Sequence, residues 1–476
     1  MEPHEEDRPE TPRSLDRPFE TGRGPLRVVV VGLDRPVGAG QDVTCEESLE
    51  ELALLVTTWG AVVVGRVIQS RERPDPVRYL GRGKLEEVGR LVRERAADYV
   101  VTDDELTPVQ LRNLENALDV AVLDRTQVIL DIFARRARSR EGKLQVELAR
   151  ALYALPRLTG KGRVLSRLGG GIGTRGPGET RLEVERRLLR DRITVLRREI
   201  AELGRQREVQ VRARRQSLIP LAAIVGYTNA GKSTLFNRLT GAGVLAEDKL
   251  FATLDPVVRR IELPDNQKLL VSDTVGFIRK LPHDLVASFR ATLEEVRDAD
   301  VLVHVVDVSN PSWAEFTRAA GSVLADIGVA ATPVVYVLNK TDRLPGGRAA
   351  ALALPEARLI GRSARVVALS ARTGEGMDDL LRALAAELSG RRRLYSFKIP
   401  YERSAVLSIL HEEGHVLKEE FDEDGVAVEA ELEPILAHRV AAAITAGAGR
   451  ETAAGRDYVT RRHPRERPGQ ERHNQP

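Results

Sequence analysis

The sequence predicts a multidomain α/β protein in which two α/β units are separated by a long helical hairpin and followed by a third, smaller α/β unit. Three observations predict it. The 476 residues exceed one domain of ~100–200 residues and suggest roughly two to four. Short apolar runs alternate with stretches of helical period in three separate blocks. Between the first two blocks Leu182, Leu189, Leu196 and Leu203 recur every seven residues, with Ile193 and Ile200 on the alternate seam, as in an antiparallel coiled coil.

Composition narrows the class. With 42% hydrophobic residues there is material for packed cores, which excludes a wholly disordered chain. The single cysteine, Cys45, excludes an intramolecular disulfide framework and a multi-cysteine metal site. No apolar run approaches the ~18–20 residues of a membrane span, and the acidic, proline-studded start has no apolar signal core. A cytoplasmic protein is expected.

Residues 1–26 and 450–476 are polar with little to bury and read as disordered tails, the second basic through Arg461, Arg462, Arg465 and Arg467. From 27 to 133 the pattern is strand at 27–32, helix at 47–59 (Leu49, Leu52, Leu55), strand at 61–68, helix at 85–97, strand at 98–102, helix at 108–118, strand at 121–123 and helix at 126–133. That is an N-terminal α/β domain. Gly81-Arg82-Gly83-Lys84 has the flavour of a phosphate cradle, but it lacks the full spacing, and a plain turn before a helix is the favoured reading.

The formal net charge of +3 hides a strong local asymmetry. Residues 134–215 hold 23 Lys/Arg against 9 Asp/Glu, a surplus of +14, which leaves the other 394 residues at −11. The segment 134–216 reads as a basic hairpin: a helix at 142–158, the heptad helix, and between them the glycine-rich run 169–178. Such a surplus attracts phosphate backbones. Arg163, Arg167 and Arg175, in and before the tip, are the candidate RNA-binding residues. A solvated spacer is the plainer alternative.

The block 217–390 is the most specific. An apolar strand at 222–226 leads into Gly226-Tyr-Thr-Asn229-Ala230-Gly231-Lys232-Ser233 and a helix opening at Thr234. This is a P-loop in its strand–loop–helix context, where glycines let the backbone wrap phosphates and the helix start presents N–H donors. Lys232 would reach the β/γ-phosphates and Ser233 would ligate Mg²⁺. A strand at 269–272 ends in Asp273-Thr-Val-Gly276, so Asp273 would hold Mg²⁺ through water and the Gly276 amide would meet the γ-phosphate. The continuous apolar runs 301–308 and 333–338 read as strands buried on both faces of a mostly parallel sheet.

After the second run come Asn339-Lys340-Thr-Asp342. An acceptor-only carboxylate at Asp342 pairs with the N1 and N2 donors of guanine, and would face an acceptor on adenine. Asn339 can reach N7, the Lys340 stem can cover the ring, and Ser370-Ala371 can meet O6 through a backbone amide. Thr253 is the candidate switch threonine, joining Mg²⁺ only while the γ-phosphate is present. The expected enzyme is a P-loop GTPase with Lys232, Thr253 and Gly276 closest to the chemistry. The last block, 391–449, reads strand, helix, strand, strand, helix: a small C-terminal α/β domain with no catalytic constellation.

These signatures, with Tyr79-Leu-Gly-Arg-Gly-Lys84, Leu123-Asp-Arg-Thr-Gln127 and the run from Gly169 to Thr180, resemble the HflX family of ribosome-associated GTPases over about 27–449. The resemblance implies binding of GTP and GDP, association with the 50S ribosomal subunit, with the N-terminal unit and hairpin reaching ribosomal RNA near the peptidyl-transferase region, and dissociation of stalled or stress-inactivated ribosomes. A monomer is expected. Where Ras-like GTPases carry a water-orienting Gln after the glycine, this chain has Phe277, so intrinsic hydrolysis is expected to be slow. His283 lies beyond it and could help in hydrolysis, with an exposed structural histidine the favoured reading. In related GTPases an Asn at the position of Asn229 helps to hold K⁺, and turn geometry explains the residue equally well. Two rival readings remain: an ATP-using RNA remodeller acting through 27–133, and a nucleotide-regulated ribosome-binding module whose turnover is not essential.

Overall fold

The computed structural model describes residues 24–35, 44–158, 181–216, 219–242, 250–251, 257–264, 266–280, 295–362, 364–389, 393–432, 434–445 and 459–461. The first unit is β1 (Arg27–Asp34), α1 (Cys45–Trp59), β2 (Val62–Ser70), α2 (Arg82–Glu94), β3 (Tyr99–Thr102), α3 (Pro108–Leu118), β4 (Ala121–Asp124) and α4 (Arg125–Arg136). Its four strands are all parallel in the order β2-β1-β3-β4. Side chains alternate across a strand, so β1 feeds two cores. Val28 and Val30 pack with Leu52 of α1 and Ile129 and Phe133 of α4. Val29 and Val31 pack with Leu85 and Val88 of α2 and Leu114 of α3. Helix α1 starts on a capping box between Thr44 and Glu47 and stops at Gly60 in the left-handed region.

Helices α5 (Arg140–Arg157) and α6 (Arg181–Gln216) form the hairpin. Leu144, Leu148 and Ala151 meet Ile193 and Leu196, flanked by Leu189, Ile200 and Leu203, so the heptad seam is the contact. Arg192 grips Glu147 with two hydrogen bonds of 2.7 and 2.8 Å. The glycine-rich tip with Arg163, Arg167 and Arg175 lies outside the described residues, as does His283.

Gln216 precedes the central unit by a short connection: β5 (Leu221–Gly226), α7 (Lys232–Thr240), β6 (Val257–Glu262), β7 (Lys268–Asp273), β8 (Val301–Asp307), α8 (Trp313–Asp326), β9 (Val334–Asn339), α9 (Gly347–Ala353), α10 (Pro355–Ile360), β10 (Arg365–Ala368) and α11 (Met377–Leu388). The strand order is β10-β9-β8-β5-β7-β6, with only β6 antiparallel. The last unit is β11 (Arg393–Ile399), α12 (Ala405–Glu413), β12 (His415–Asp422), β13 (Gly425–Leu432), α13 (Pro434–Thr445) and β14 (Val459–Arg461), with antiparallel order β12-β13-β11-β14. Strand β14 corrects the expectation of a wholly disordered tail. The free edge of β11 offers unpaired backbone groups, and Val459, Thr460 and Arg461 pair with Phe397, Ser396 and Tyr395.

The first unit docks on the central one. Leu250, Phe251 and Ile278 join the apolar cluster of α1 and α4, and Phe251 meets Phe133 edge-on at 4.5 Å between centroids. Beside them Arg125, 1% exposed, bonds Asp103 at 2.6 Å, Glu51 at 2.9 Å and the Ser48 carbonyl at 2.8 Å. Lys280, just past Gly276, reaches Asp103 and, at 2.9 Å, Asp104. Burial pushes the Asp103 carboxyl up, but Arg125 and Lys280 outweigh it and hold it at about 2. Removing one member of such a network leaves an uncompensated buried charge. Arg125→Ala should therefore destabilise the protein by about 3–5 kcal/mol, read as a lower urea midpoint, and an unchanged midpoint would contradict the assigned burial.

Candidate nucleotide site

The loop between β5 and α7 is shaped by backbone constraints. Gly231 adopts φ 94, and a Cβ there would lie 2.3 Å from Nδ2 of Asn339, so glycine is required twice over. Asn229 sits at φ 60, which asparagine tolerates, so turn geometry accounts for its identity. Lys232, buried in the first turn of α7, donates to the Tyr227 carbonyl at 2.7 Å. Burial pushes its ammonium down to about 8, against the attraction of Asp273. A second polar group lies beneath: His304 of β8, 2% exposed, is lowered to about 4 by burial and by Lys232, and is therefore neutral.

Gly276 is brought over the lysine. A Cβ at Gly276 would stand 2.7 Å from Lys232 Nζ and 2.9 Å from Cγ2 of Thr228, so the backbone approaches where only glycine fits. The next residue is fixed by two backbone bonds: Phe277 N–H to the Gly226 carbonyl at 3.0 Å and Thr228 N–H to the Phe277 carbonyl at 2.8 Å. The Phe277 ring is buried among Ala223, Val225, Val296 and Leu302. It is a core residue, with no hydrogen-bonding atom to orient water. Ser233 Oγ donates to Asp273 Oδ2 at 2.8 Å. This hydroxyl–carboxylate pair at the helix start is the hard-oxygen donor set that Mg²⁺ prefers. Thr253 lies outside the described residues.

Among the candidate base-recognition residues, Asn339 joins two loops through its carboxamide. Asn339 donates through Nδ2 to the Ala230 carbonyl at 2.8 Å and accepts through Oδ1 from the Ala371 N–H at 2.9 Å. It thus ties the phosphate loop to the Ser370-Ala371 turn. Asp342 accepts from the Ser370 hydroxyl at 2.6 Å and pairs with the exposed Arg372 at 2.6 Å. The Ser370 bond, with Arg372 behind it, holds this carboxyl below its ordinary range, so it is an ionised acceptor. Lys340, at φ 63, directs its ammonium to Asp307 at 2.6 Å. Thr234 follows Ser233 in the first turn of α7.

Several neighbours carried no sequence signal. Tyr227 is an unspecified position of the P-loop pattern, yet its hydroxyl donates to Glu51 and accepts from the Arg279 N–H at 2.9 Å. Arg279 covers the Phe316 ring at 4.4 Å, and Ser312 donates to Glu47. A cavity of ≈ 320 Å³ lies here, between Glu47, Glu50 and Glu51 of α1 and Tyr227, Asn229 and Phe316. The cradle-like segment in the first unit is ordinary by comparison. Gly81 N–H donates to Gln69 at 2.9 Å and Lys84 pairs with Glu87 at 2.8 Å.

Four family models match the chain: "GTP-binding GTPase N-terminal" over 46–134, "GTP-binding GTPase Middle Region" over 136–214, "50S ribosome-binding GTPase" over 221–340 and "HflX C-terminal domain" over 357–453. A GTPase HflX from Caldanaerobacter subterraneus subsp. tengcongensis is 48% identical over 416 residues, 87% of this chain and 92% of that protein. The GTPase HflX of Escherichia coli (strain K12) is 43% identical over 379 residues, 80% of this chain and 88% of that one. Among solved structures, a GDP complex of a protein called SsGBP is 26% identical, covers 76% of this chain and 98% of its own, and has a TM-score of 0.45. The chain is a GTP hydrolase. Among the described residues no helix is long and apolar enough to cross a membrane.

Two outcomes follow from this geometry. Asp342→Asn removes charge-assisted bonds worth about 1.5–3 kcal/mol, so GTP binding should weaken roughly 10- to 100-fold, while XTP, whose C2 carbonyl accepts from an amide, should gain. Titration with fluorescent analogues of both nucleotides checks this. Because Lys232 falls to about 8 in the free site and phosphate favours the ammonium, GTP binding should take up a proton above that pH. Apparent affinity should then drop by up to about tenfold per pH unit. Calorimetry in buffers of differing ionisation enthalpy reads the proton, and a flat affinity from pH 7 to 9.5 would contradict it.

Proposed function

The chain belongs to the HflX family of GTPases, and from that premise we propose that it couples Mg²⁺-dependent GTP turnover to association with the 50S ribosomal subunit. On that subunit it would dissociate or rescue stalled ribosomes, as a cytoplasmic monomer. The observation that carries the reading is a connection. The strand of backbone after Gly276, which would meet the γ-phosphate, runs directly into Lys280, whose ammonium is bound to Asp103 and Asp104 of the first unit. That unit continues through α4 and α5 into the basic hairpin. A change at the phosphate therefore has a packed route to the surface with the greatest positive charge.

In the working site Lys232 would neutralise the β/γ-phosphates, the Gly276 amide would donate to the γ-phosphate, and Asp342 with Asn339 and the Ala371 amide would orient guanine. Ser233, Asp273 and Thr253 would hold Mg²⁺, which when bound spreads the charge of the phosphoryl oxygens. Turn geometry alone accounts for Asn229, and its place in the P-loop would equally suit a K⁺ ligand. With the Phe277 ring in the core, no side chain directly after Gly276 can position water. Turnover would therefore be slow until a partner orders the site. For the ATP-remodeller reading the first unit offers only the Gly81–Lys84 segment, in which Lys84 pairs with Glu87 at 2.8 Å.

Sucrose-gradient sedimentation of ribosomes tests the proposal. With a non-hydrolysable GTP analogue the protein should travel with the 50S peak and shift 70S toward free subunits, and with GDP it should remain at the top. Absence of nucleotide-dependent 50S association would sink the reading. A Ser233→Ala variant that still splits ribosomes would assign the work to a bound state rather than to turnover.

A further inference from the structure

The turn that follows β10 stands on the base side of the nucleotide site, and its backbone is held at both ends. Ser370 N–H donates to the Glu375 carbonyl at 3.0 Å, and Gly374 N–H donates to the Ser370 carbonyl at 2.8 Å. Arg238 of α7 donates to the Arg372 carbonyl at 2.6 Å and to the Ala371 carbonyl at 3.4 Å. The Ala371 N–H is taken by Asn339 at 2.9 Å. The main chain at Arg372 is therefore fixed, while its side chain is 71% exposed. Among the described residues that side chain makes one salt bridge, to Asp342.

The two oxygens of Asp342 are divided between neighbours. The Ser370 hydroxyl donates to Oδ1 at 2.6 Å, and Arg372 Nη2 lies 2.6 Å from Oδ2. With both in place the Asp342 side chain is only 11% exposed, so little of the carboxylate is open to a further partner. Ser370 is a small neutral donor that uses one of two lone-pair sites on its oxygen. Arg372 instead covers the other oxygen with a cation. The N1–C2–N2 edge of guanine is itself a guanidine fragment, two N–H donors side by side on one carbon. The arginine fork presents the same pattern, and a carboxylate that suits one suits the other.

From this we propose that Arg372 is a built-in competitor of guanine for Asp342. Its guanidinium leaves the carboxylate when a guanine nucleotide binds and returns as the base departs, so it lowers nucleotide affinity and hastens exchange. The proposal rests on the reading that Asp342 takes the guanine edge. A group tethered this close acts at high effective concentration. The pair is nevertheless exposed on the arginine side, which keeps the competition mild and reversible. Because the contest concerns the base alone, GTP and GDP are affected equally. A cation acting on the phosphates would instead favour the more highly charged GTP.

The test titrates the full-length protein with ribose-labelled fluorescent GTP and GDP, which leave the base untouched, and follows dissociation by stopped flow. Arg372→Gln should bind both nucleotides about two- to fivefold more tightly, the range set by an exposed ion pair, and release them more slowly. The gap between parent and variant should shrink as NaCl rises from about 50 to about 500 mM, because salt screens such a pair. Arg372→Lys, which keeps the charge without the planar fork, should lie between the two. In an Asp342→Asn background the Arg372→Gln change should leave GTP affinity unaltered, since the contested carboxylate is gone. Thermal midpoints confirm that each variant is folded. Equal or weaker binding by Arg372→Gln at low salt would overturn the proposal. So would a gain that survives in the Asp342→Asn background or that differs between GTP and GDP. If Asp342→Asn by itself leaves GTP binding intact, the base assignment fails. If it weakens GTP and Arg372→Gln changes nothing, only the competitor fails.

Discussion

Everything in this molecule depends on how Arg125 is buried. An isolated guanidinium in a protein interior is too costly to keep charged, so its surroundings must supply carboxylates and carbonyls in a fixed geometry. Asp103 comes from the end of β3, Glu51 and Ser48 come from α1, and the guanidinium sits at the first residue of α4. In open parallel sheets the crevice beyond the strand ends, where the order reverses, is the usual place for a ligand. Here β1 and β3 flank that crevice, and it is filled by protein. Asp103 accepts Arg125 from within the unit and Lys280 from the neighbouring one. The unit has in effect taken the ammonium of Lys280, four residues past Gly276, as its ligand.

Much of this was legible in the sequence. Strands β8 and β9 announce themselves as unbroken apolar runs, and the P-loop carries its spacing openly because phosphate binding leaves no choice of residue. The sequence offers Asn339 as a candidate base contact, but it does not disclose the bonds to Ala230 and Ala371, since those are distances across the fold and leave no periodic trace. Leu123–Gln127 was recognisable only as a resemblance. The structure gives it a physical reason: Asp124 caps α4 and accepts from Leu106, Tyr153 and Gln127, while Arg125 holds the docked face. Buried polar networks are specified by partners far apart along the chain, which pattern reading does not join. Strand β14 escaped for a different reason: three residues set in polar sequence pair there along the β11 ladder.

Phe277 shows how one substitution divides labour within a fold. Its ring adds to the core between β5, β8 and α8, and its backbone bridges Gly226 and Thr228. The same position in a self-sufficient hydrolase would have to point outward. Packing and catalysis compete for one side chain, and in this chain packing has it, which fixes the loop that follows Gly276.

The hairpin has a mechanical side as well. Helix α6 runs for 36 residues, about 54 Å at the usual rise, and it ends at Gln216, a few residues from the strand that carries the P-loop. A stiff rod anchored at one end magnifies angles. Turning its base by about 5° carries the far end through roughly 5 Å, close to the width of a helical turn. Adjustments too small to notice at the phosphate could thus arrive at the distal end as a displacement large enough to break or make a contact.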